Sequence, residues 1–338
     1  MATQTTIAAA LQDKIDAKAA LKTIINNRFA TNITNEKLSE YPAFLQSTTS
    51  TWVRPADWLE IDSLVTAGEQ KTVGLYAIYP NNNTLGMTNK VAFTVTGDHT
   101  IDWGDGSALE NVNSNVQAEH TYNYDNISSE TACSRGYRQV RITITPQSGQ
   151  NITNLQFGKK HSTIVHGRIF SQWLDINISG TELTTFRFSE ISYANLLEKI
   201  KVYQVTNKCT SCAVMFQNCY SLQSLNLSSF NTAAVTNMSV MFGSCYSLQS
   251  LDLSATNVGA VTSAGNFAYG TTSLIKCRLP QAKWSFTVAN NPLSATELNL
   301  LFGDLAAVTG QTITITGCTG ASTCDKTIAT NKGWTVTG

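Results

Sequence analysis

Apolar residues near the N-terminus recur in steps of about four residues, at Ile7, Leu11, Ile15, Leu21 and Ile25. This spacing predicts an amphipathic helix with a narrow apolar stripe. Such a helix is marginal alone in water, so we expect it to pack on a partner or on copies of itself, or else on its own chain. Residues 1–50 are therefore predicted to form an attachment or oligomerisation segment, with a trimer favoured although sustained coiled-coil heptads are absent.

From 51 to 150 the hydrophobic period changes to two. Apolar and polar residues alternate around Val73, Leu75, Ala77 and Tyr79, around Val91, Phe93 and Val95, and around Val140, Ile142 and Ile144. A period of two predicts strands with one buried face. Segments rich in Gly, Asn and Asp separate these strands, as in a β-sandwich of short antiparallel strands.

After residue 151 the chain repeats itself. The pattern Met-Phe-x-x-Cys-Tyr-Ser-Leu-x-x-Leu-x-Leu-Ser begins at Met215 and again at Met241, an offset of 26 residues. A fixed period of this size predicts a solenoid, because one repeat cannot bury its own apolar edge and must stack on its neighbours. The predicted core positions of the two copies are Phe216, Cys219, Leu222, Leu225, Leu227, Phe242, Cys245, Leu248, Leu251 and Leu253.

Weaker copies of the leucine pattern extend the array to about five rungs. They lie at Leu183, Phe186 and Phe188, at Leu197, Ile200 and Val202, and at Leu274, Cys277 and Leu279, with an earlier strand at Leu174, Ile176 and Ile178. From about residue 290 a cap is predicted. Ser294 and Glu297 form a capping box that opens a helix to about Leu305, strands follow, and Trp334 plugs the open end of the core.

The predicted fold class is therefore mainly β, with an N-terminal helix, a sandwich at 51–150 and a capped solenoid at 151–338. Charged residues make up only 14% of the chain, and 23 Lys and Arg balance 23 Asp and Glu. Without a basic excess we do not expect nucleic acid as a partner. We also expect neither membrane insertion nor secretion through a signal peptide, because no long apolar run or basic leader is visible.

The eight cysteines favour buried thiols over chemistry. Cys209 and Cys212 have the spacing of a redox or zinc motif, but no second such pair and no nearby His accompany them. Cys318 and Cys324 bracket a turn and form the one pair considered for a disulfide. We predict no catalytic residues, no metal and no cofactor, because nucleophile, metalloprotease and paired-acid motifs are all missing.

One motif of the sandwich carries a resemblance. Trp103, Gly104, Asp105 and Gly106 are followed by His120 and Tyr122. This WGDG turn with a later H-x-Y strand resembles PKD-type immunoglobulin-like domains. The residues fit a structural role, because the glycines allow a tight turn, Asp105 accepts bonds from turn amides and Trp103 fills the core. Calcium at Asp102 and Asp105, and a catalytic His120, are the less favoured alternatives.

The repeat itself resembles the BspA-like leucine-rich-repeat family over about 190 to 280. One full copy continues through Phe230, Asn231 and Thr232 to Val235, Thr236, Asn237 and Met238. The resemblance implies that Met, Phe, Cys and Leu point inward and that Cys219 and Cys245 stack as thiols. The ending from Ala329 to Trp334 resembles the cap of phage-encoded members of that family.

The first third of the chain also resembles phage virion proteins, through the helix from Ala10 to Ile25, the Ser39 to Pro42 element and the segment from Arg54 to Leu59. Together these resemblances imply a non-enzymatic virion fibre or adhesin subunit, exposed on a phage tail, baseplate or capsid. Its N-terminal region would contact other virion proteins, and its repeat domain a host-cell surface protein or glycan. The alternatives are a bacterial surface adhesin of the BspA-like family and a structural or decorating virion protein.

Tyr220 and Tyr246 recur at the same place in successive rungs. They are the candidate receptor-binding residues, as an exposed aromatic ladder on one face of the solenoid. The alternative is that both rings pack within the turn.

Overall fold

A computed structural model describes residues 52–82, 87–164, 169–188, 192–193, 196–205 and 208–338. The chain divides into two compact units, Met1–Val53 and Arg54–Gly338, and the account below concerns the second. The predicted N-terminal helix and most of the linker lie outside the described residues. The described part confirms the mainly β class and contains a β-solenoid of about six turns.

The sandwich part contributes six described strands. They are β1 (Lys71–Ile78), β2 (Lys90–Thr96), β3 (His99–Asp102), β4 (Glu110–Val112), β5 (Gln117–Thr121) and β6 (Arg138–Pro146). Short 3-10 turns lie at Asp62–Leu64, Tyr124–Asn126 and Ser129–Thr131. The three strands expected from the period of two therefore form as β1, β2 and β6.

The solenoid part contains short strands and two helices. The strands are β7 (Asn154–Gln156), β8 (Ile169–Phe170), β9 (Trp173–Gly180), β10 (Thr185–Arg187), β11 (Ser192–Tyr193), β12 (Lys199–Val205), β13 (Ser224–Asn226), β14 (Ser250–Asp252), β15 (Lys276–Arg278), β16 (Phe286–Thr287), β17 (Thr312–Thr314) and β18 (Thr335–Thr337). The helices are α1 (Ala295–Asp304) and α2 (Thr327–Thr330). Ser294 caps α1 as expected, because its hydroxyl accepts a bond from the amide of Glu297 at 3.2 Å.

The two sheets of the sandwich continue directly into the solenoid. One sheet has the strand order β13-β12-β9-β1-β6-β3-β4, and the other has the order β10-β7-β2-β5. The junctions are antiparallel, between β1 and β9 and between β2 and β7, whereas β9, β12 and β13 pair in parallel. The predicted sandwich thus covers the first turn of the solenoid with its own strands, so the first rung has no exposed edge there.

In the sequence-based prediction, the weak copies around Phe186 and around Ile200 are separate rungs of the repeat. Phe186 lies on β10 and Ile200 on β12, which belong to different sheets. The two residues are 14 positions apart, about half of the 26-residue period. The expectation that they mark successive rungs of one column was therefore wrong, because each turn of the solenoid presents two apolar segments to the core.

Strand β1 also differs from its expectation. Seven of its eight residues are buried, so both of its faces are covered. The predicted single buried face was wrong because the segment before β1 lies across its second face: Asn177, the β9 partner of Val73, donates its side-chain amide to O of the buried Ile61 at 3.1 Å. Its Gly74 is required by this packing: a Cβ there would lie 2.3 Å from the ring of Trp173.

Aromatic rings connect the core of the sandwich to that of the solenoid. Trp173 contacts the ring of Tyr76 edge-on at 5.1 Å between centroids and that of Phe157 at 5.5 Å. From Phe157 the rings continue along the solenoid through Phe188, Phe216, Phe242, Phe267 and Trp284, with successive centroids 5.0 to 6.2 Å apart. At the far end Trp334 is buried beside Phe286, as expected for a cap, and its indole donates to Ala306 O at 2.8 Å.

A buried ion pair fastens the first residues of this unit to the solenoid. Arg54 Nε donates to Asp175 Oδ2 at 2.7 Å, and the Asp175 side chain is fully buried. Lys199 Nζ lies 3.4 Å from the same oxygen and 2.7 Å from Asp62 Oδ1. Burial raises the pKa of Asp175 above its ordinary value, and Lys199 and Arg54 only partly offset this effect. The charge on Asp175 therefore depends on its two cationic partners.

The turn of each rung requires left-handed backbone at two positions. Val214, Val240 and Asn266 occupy the first with φ of 55°, 56° and 54°. Asn218, Ser244 and Gly270 occupy the second with φ of 61°, 60° and 78°. A β-branched residue is strained at such φ values, whereas Asn tolerates them. The first two rungs thus store strain that the third avoids.

We predict that Val240→Asn stabilises the protein. The amide of residue 240 donates to Gly265 O at 2.9 Å, and this bond is kept while the φ strain falls. The free energy of unfolding should rise by about 1 kcal/mol, measured by urea denaturation. Ala233→Asn, at an exposed position without positive φ, is the control and should leave the free energy of unfolding unchanged. Equal stability of the two variants would contradict the strain argument.

We predict that Arg54→Ala destabilises the protein by about 3–5 kcal/mol, because it leaves a buried carboxylate with Lys199 as its remaining cation. The measurement is the free energy of unfolding at pH 7. Arg54→Lys keeps a positive charge and should lose less. If Arg54→Ala lowers the free energy of unfolding by less than about 1 kcal/mol, the ion pair of Arg54 and Asp175 contributes little to stability.

Candidate receptor-binding surface

The repeat turns place buried and exposed residues side by side. Cys219 and Cys245 are fully buried, and the Cys245 thiol donates to Phe216 O at 3.1 Å. The residue after each cysteine points away from this core, so Tyr220 is half-buried and Tyr246 is 46% exposed. The local geometry of the turn therefore repeats one tyrosine per rung at the surface.

The two tyrosine rings stack on each other. Their centroids are 5.1 Å apart and their planes differ by 27°. The next position of this ladder, 26 residues further on, is Thr272, whose hydroxyl donates to Tyr246 O at 3.4 Å. Because threonine carries no ring, the stack ends at Tyr246.

The surface around the ladder carries almost no charge. Between Lys208 and Lys276 the sequence contains one charged residue, Asp252. Asp252 is paired with Lys276 at 2.7 Å across neighbouring rungs. Although partial burial opposes it, the bonds from Lys276 and Ser254 lower the pKa of Asp252 to about 2. Apart from this pair, the sequence between Lys208 and Lys276 supplies only uncharged side chains to the repeat surface.

Two exposed apolar residues near the ladder were not predicted. Tyr269 is 62% exposed and Ile275 is 39% exposed. Tyr269 occupies the register position of Gly243, and Ile275 that of Gln249, so neither repeats a residue type of the preceding rung. Comparison of each rung with the one before it would have revealed both.

The ten repeat-core positions named from the sequence are buried to different degrees. Leu225 is only partly buried. The fully or almost fully buried members are Phe216, Cys219, Leu222, Leu227, Phe242, Cys245, Leu248, Leu251 and Leu253.

The WGDG motif forms a tight polar cluster on the sandwich. Gly104 and Gly106 have φ of 76° and 84°. Asp105 Oδ1 accepts from the amide and the hydroxyl of Ser107 at 3.1 and 2.6 Å, and Oδ2 lies 2.8 Å from His120 Nε2. Both oxygens of Asp105 are therefore bonded, one within the turn and the other to His120 on β5.

Aromatic contacts hold the same cluster against the core. Trp103 is buried, stacks on the His120 ring at 4.8 Å and donates through its indole to Glu110 Oε2 at 2.8 Å. Tyr122 Oη donates to Trp103 O at 2.9 Å. His120 thus contacts groups that fix its position, and in the described part of the chain no three His, Cys, Asp or Glu side chains meet as a metal site.

The cysteines are thiols throughout the described chain. Cys318 Sγ donates to Val288 O at 3.0 Å rather than bonding Cys324. The Cys209 and Cys212 sulfurs are 3.8 Å apart and both residues are buried. The hydrogen bond between them lowers the pKa of Cys209 and raises that of Cys212. Burial raises the pKa of Cys245 to about 12, which makes this thiol unreactive at neutral pH.

Helices of the described residues are too short or too polar to cross a membrane.

We predict a pH-dependent effect for Asp105→Asn. Although burial opposes it, the bonds from Ser107 and His120 lower the pKa of Asp105 below 3.8. The carboxylate therefore stabilises the fold above about pH 4, and this contribution is lost as the pH falls through the lowered pKa. Asp105→Asn should cost about 1.5–3 kcal/mol in urea denaturation at pH 7 and less at pH 3. The exposed Asp125→Asn is the control, and an equal loss for Asp105→Asn at both pH values would contradict the assignment.

Comparison with known proteins gives one similarity. Residues 184–292 match a family model described as "Mycoplasma protein of unknown function, DUF285". No curated protein and no solved structure matches the chain. The matched region contains both tyrosines of the ladder and all ten predicted repeat-core residues, so the similarity falls on the solenoid and not on the sandwich.

Proposed function

We propose that this protein is a non-enzymatic attachment protein, a fibre or adhesin subunit of a phage virion. In this proposal residues 1–50 attach to other virion proteins and oligomerise, and the solenoid binds a protein or glycan on the host-cell surface. The observation that carries it is the stacked pair of Tyr220 and Tyr246, of which Tyr246 is 46% exposed, on rungs that hold a single charged residue between Lys208 and Lys276. Exposed aromatic residues are typical of binding surfaces.

The continuity of the two sheets supports the proposal. An attachment protein must hold its binding surface at a fixed distance from its point of anchorage. Because β1 pairs with β9 and β2 with β7, the sandwich and the solenoid bend less readily than two domains joined by a linker. The assignment to a virion rests on the sequence resemblances described above.

A second candidate is a bacterial surface adhesin. It is favoured by the match of residues 184–292 to a family described from Mycoplasma. Both candidates use the same solenoid surface, and they differ in what carries the protein. Detection in purified virions supports the first candidate, and detection on the surface of the producing cell supports the second.

We predict that Tyr220→Ser combined with Tyr246→Ser strongly weakens attachment. Fluorescently labelled full-length protein is mixed with a panel of bacteria, and saturable binding is scored by flow cytometry. The double variant should bind at least about tenfold more weakly, because it removes the exposed aromatic area of two rungs.

Leu109→Ser is the matched control, since Leu109 is an exposed apolar residue of the sandwich, at 66% exposure. Unchanged binding by a folded double variant would exclude the ladder as the binding site. If the unmodified protein binds no cell yet occurs in purified virions, a structural or decorating role replaces the attachment role.

A further inference from the structure

We infer that the ligand of this surface is an uncharged glycan, with one sugar ring seated on the outer face of Tyr246 beside Thr272. The inference rests on the proposed attachment function and narrows its partner. It follows from three features of the described residues: an aromatic face that the ladder leaves uncovered, uncharged hydrogen-bonding groups in the same turns, and the missing charge.

The uncovered face results from the end of the tyrosine stack. One face of the Tyr246 ring lies against Tyr220 at 5.1 Å. Tyr246 is 46% exposed and the equivalent residue of the next rung is the small Thr272, so we infer that the opposite face of the ring is open. Neighbouring strands are about 4.8 Å apart, so a missing ring leaves room for a flat group of similar thickness. The C–H face of a pyranose is such a group, and it packs favourably on an aromatic face.

A side-chain amide follows Tyr246 closely along the chain. Gln249 follows Tyr246 by three residues in the same turn and is half-buried, with its backbone carbonyl bonded to the amide of Ile275 at 2.8 Å. Its side-chain amide makes no hydrogen bond to the residues that the structure describes. An amide with both a donor and an acceptor suits the vicinal hydroxyls of a sugar.

The charge distribution selects among ligand classes. Anionic glycans and phosphorylated ligands are bound through Arg or Lys, and protein interfaces are enriched in Arg. Between Lys208 and Lys276 no basic residue occurs and the single acid is Asp252; Lys276 itself, whose amide donates to Gln249 O at 3.3 Å, has its charge paired with Asp252 at 2.7 Å. An uncharged glycan needs no opposite charge on the protein, so it is the class of ligand that suits this surface best.

The sharpest variant is Thr272→Tyr, which extends the ladder and covers the outer face of Tyr246 without changing charge. Full-length protein is tested on an array of neutral oligosaccharides of hexoses and N-acetylhexosamines, with sialylated and sulfated oligosaccharides beside them. We expect neutral glycans alone to bind. Thr272→Tyr and Tyr246→Ala should each weaken binding by about tenfold or more, Tyr246→Phe should stay within about twofold, and Leu109→Ala should not change it.

Folding of each variant is checked by its thermal unfolding midpoint, and Tyr246→Phe keeps the test valid if Thr272→Tyr does not fold. Binding of charged glycans alone would overturn the inference, as would unchanged binding in folded Thr272→Tyr and Tyr246→Ala.

Treatment of the cells separates this inference from the proposed function. Periodate cleaves vicinal diols of sugars, whereas protease removes surface proteins. If periodate abolishes cell binding and protease does not, the glycan inference is supported. If only protease abolishes it, the partner is a protein and the inference falls while the attachment function stands. If untreated cells of the whole panel fail to bind and the array stays blank, both fail.

Discussion

The structure depends on covering the first turn of the solenoid. Each turn of a solenoid buries its apolar side chains against the next, so the terminal turns would expose both a core and a row of unpaired backbone groups. Here β1 and β2 of the sandwich pair with β9 and β7 of the first turn, and Trp173 packs its ring against Tyr76 and over Gly74. At the other end Trp334 and the parallel strands β16 to β18 serve the same purpose. The sandwich is therefore part of the solenoid's hydrophobic core as well as a neighbour of it.

This continuity explains how a chain with few charged residues keeps a defined shape. The aromatic column from Trp173 to Trp284 gives each rung the same anchor, and the two left-handed positions give each turn the same path. Strain at Val214 and Val240 is tolerated because neighbouring rungs fix those turns from both sides. The buried ion pair of Arg54 and Asp175 holds the segment that begins at Arg54 in a fixed position on the sheet.

The surface follows from the same repetition. A residue that points outward in one rung lies next to its equivalent in the following rung. Tyr220 and Tyr246 therefore stack, and the uncharged residues of successive rungs lie side by side. The fold itself fixes the positions of these surface side chains, because each rung holds the next in register. The departure at Thr272 ends the stack of rings at Tyr246, because threonine carries no ring. The cluster around Asp105, by contrast, has its hydrogen bonds satisfied internally and is explained by stability alone.

The sequence by itself determined what depends on local pattern. The period of 26 residues, the inward Phe, Cys and Leu positions, the Ser294 cap and the tight turn at Gly104 and Gly106 all follow from spacing and residue type over short stretches. The tertiary structure alone decided what depends on pairing between distant segments. These features are the sharing of both sheets by sandwich and solenoid, the double burial of β1, the placement of Phe186 and Ile200 in different sheets, and the pair of Arg54 with Asp175. Hydrophobic periodicity indicates which face of a segment is buried. It does not indicate which distant segment of the chain covers that face.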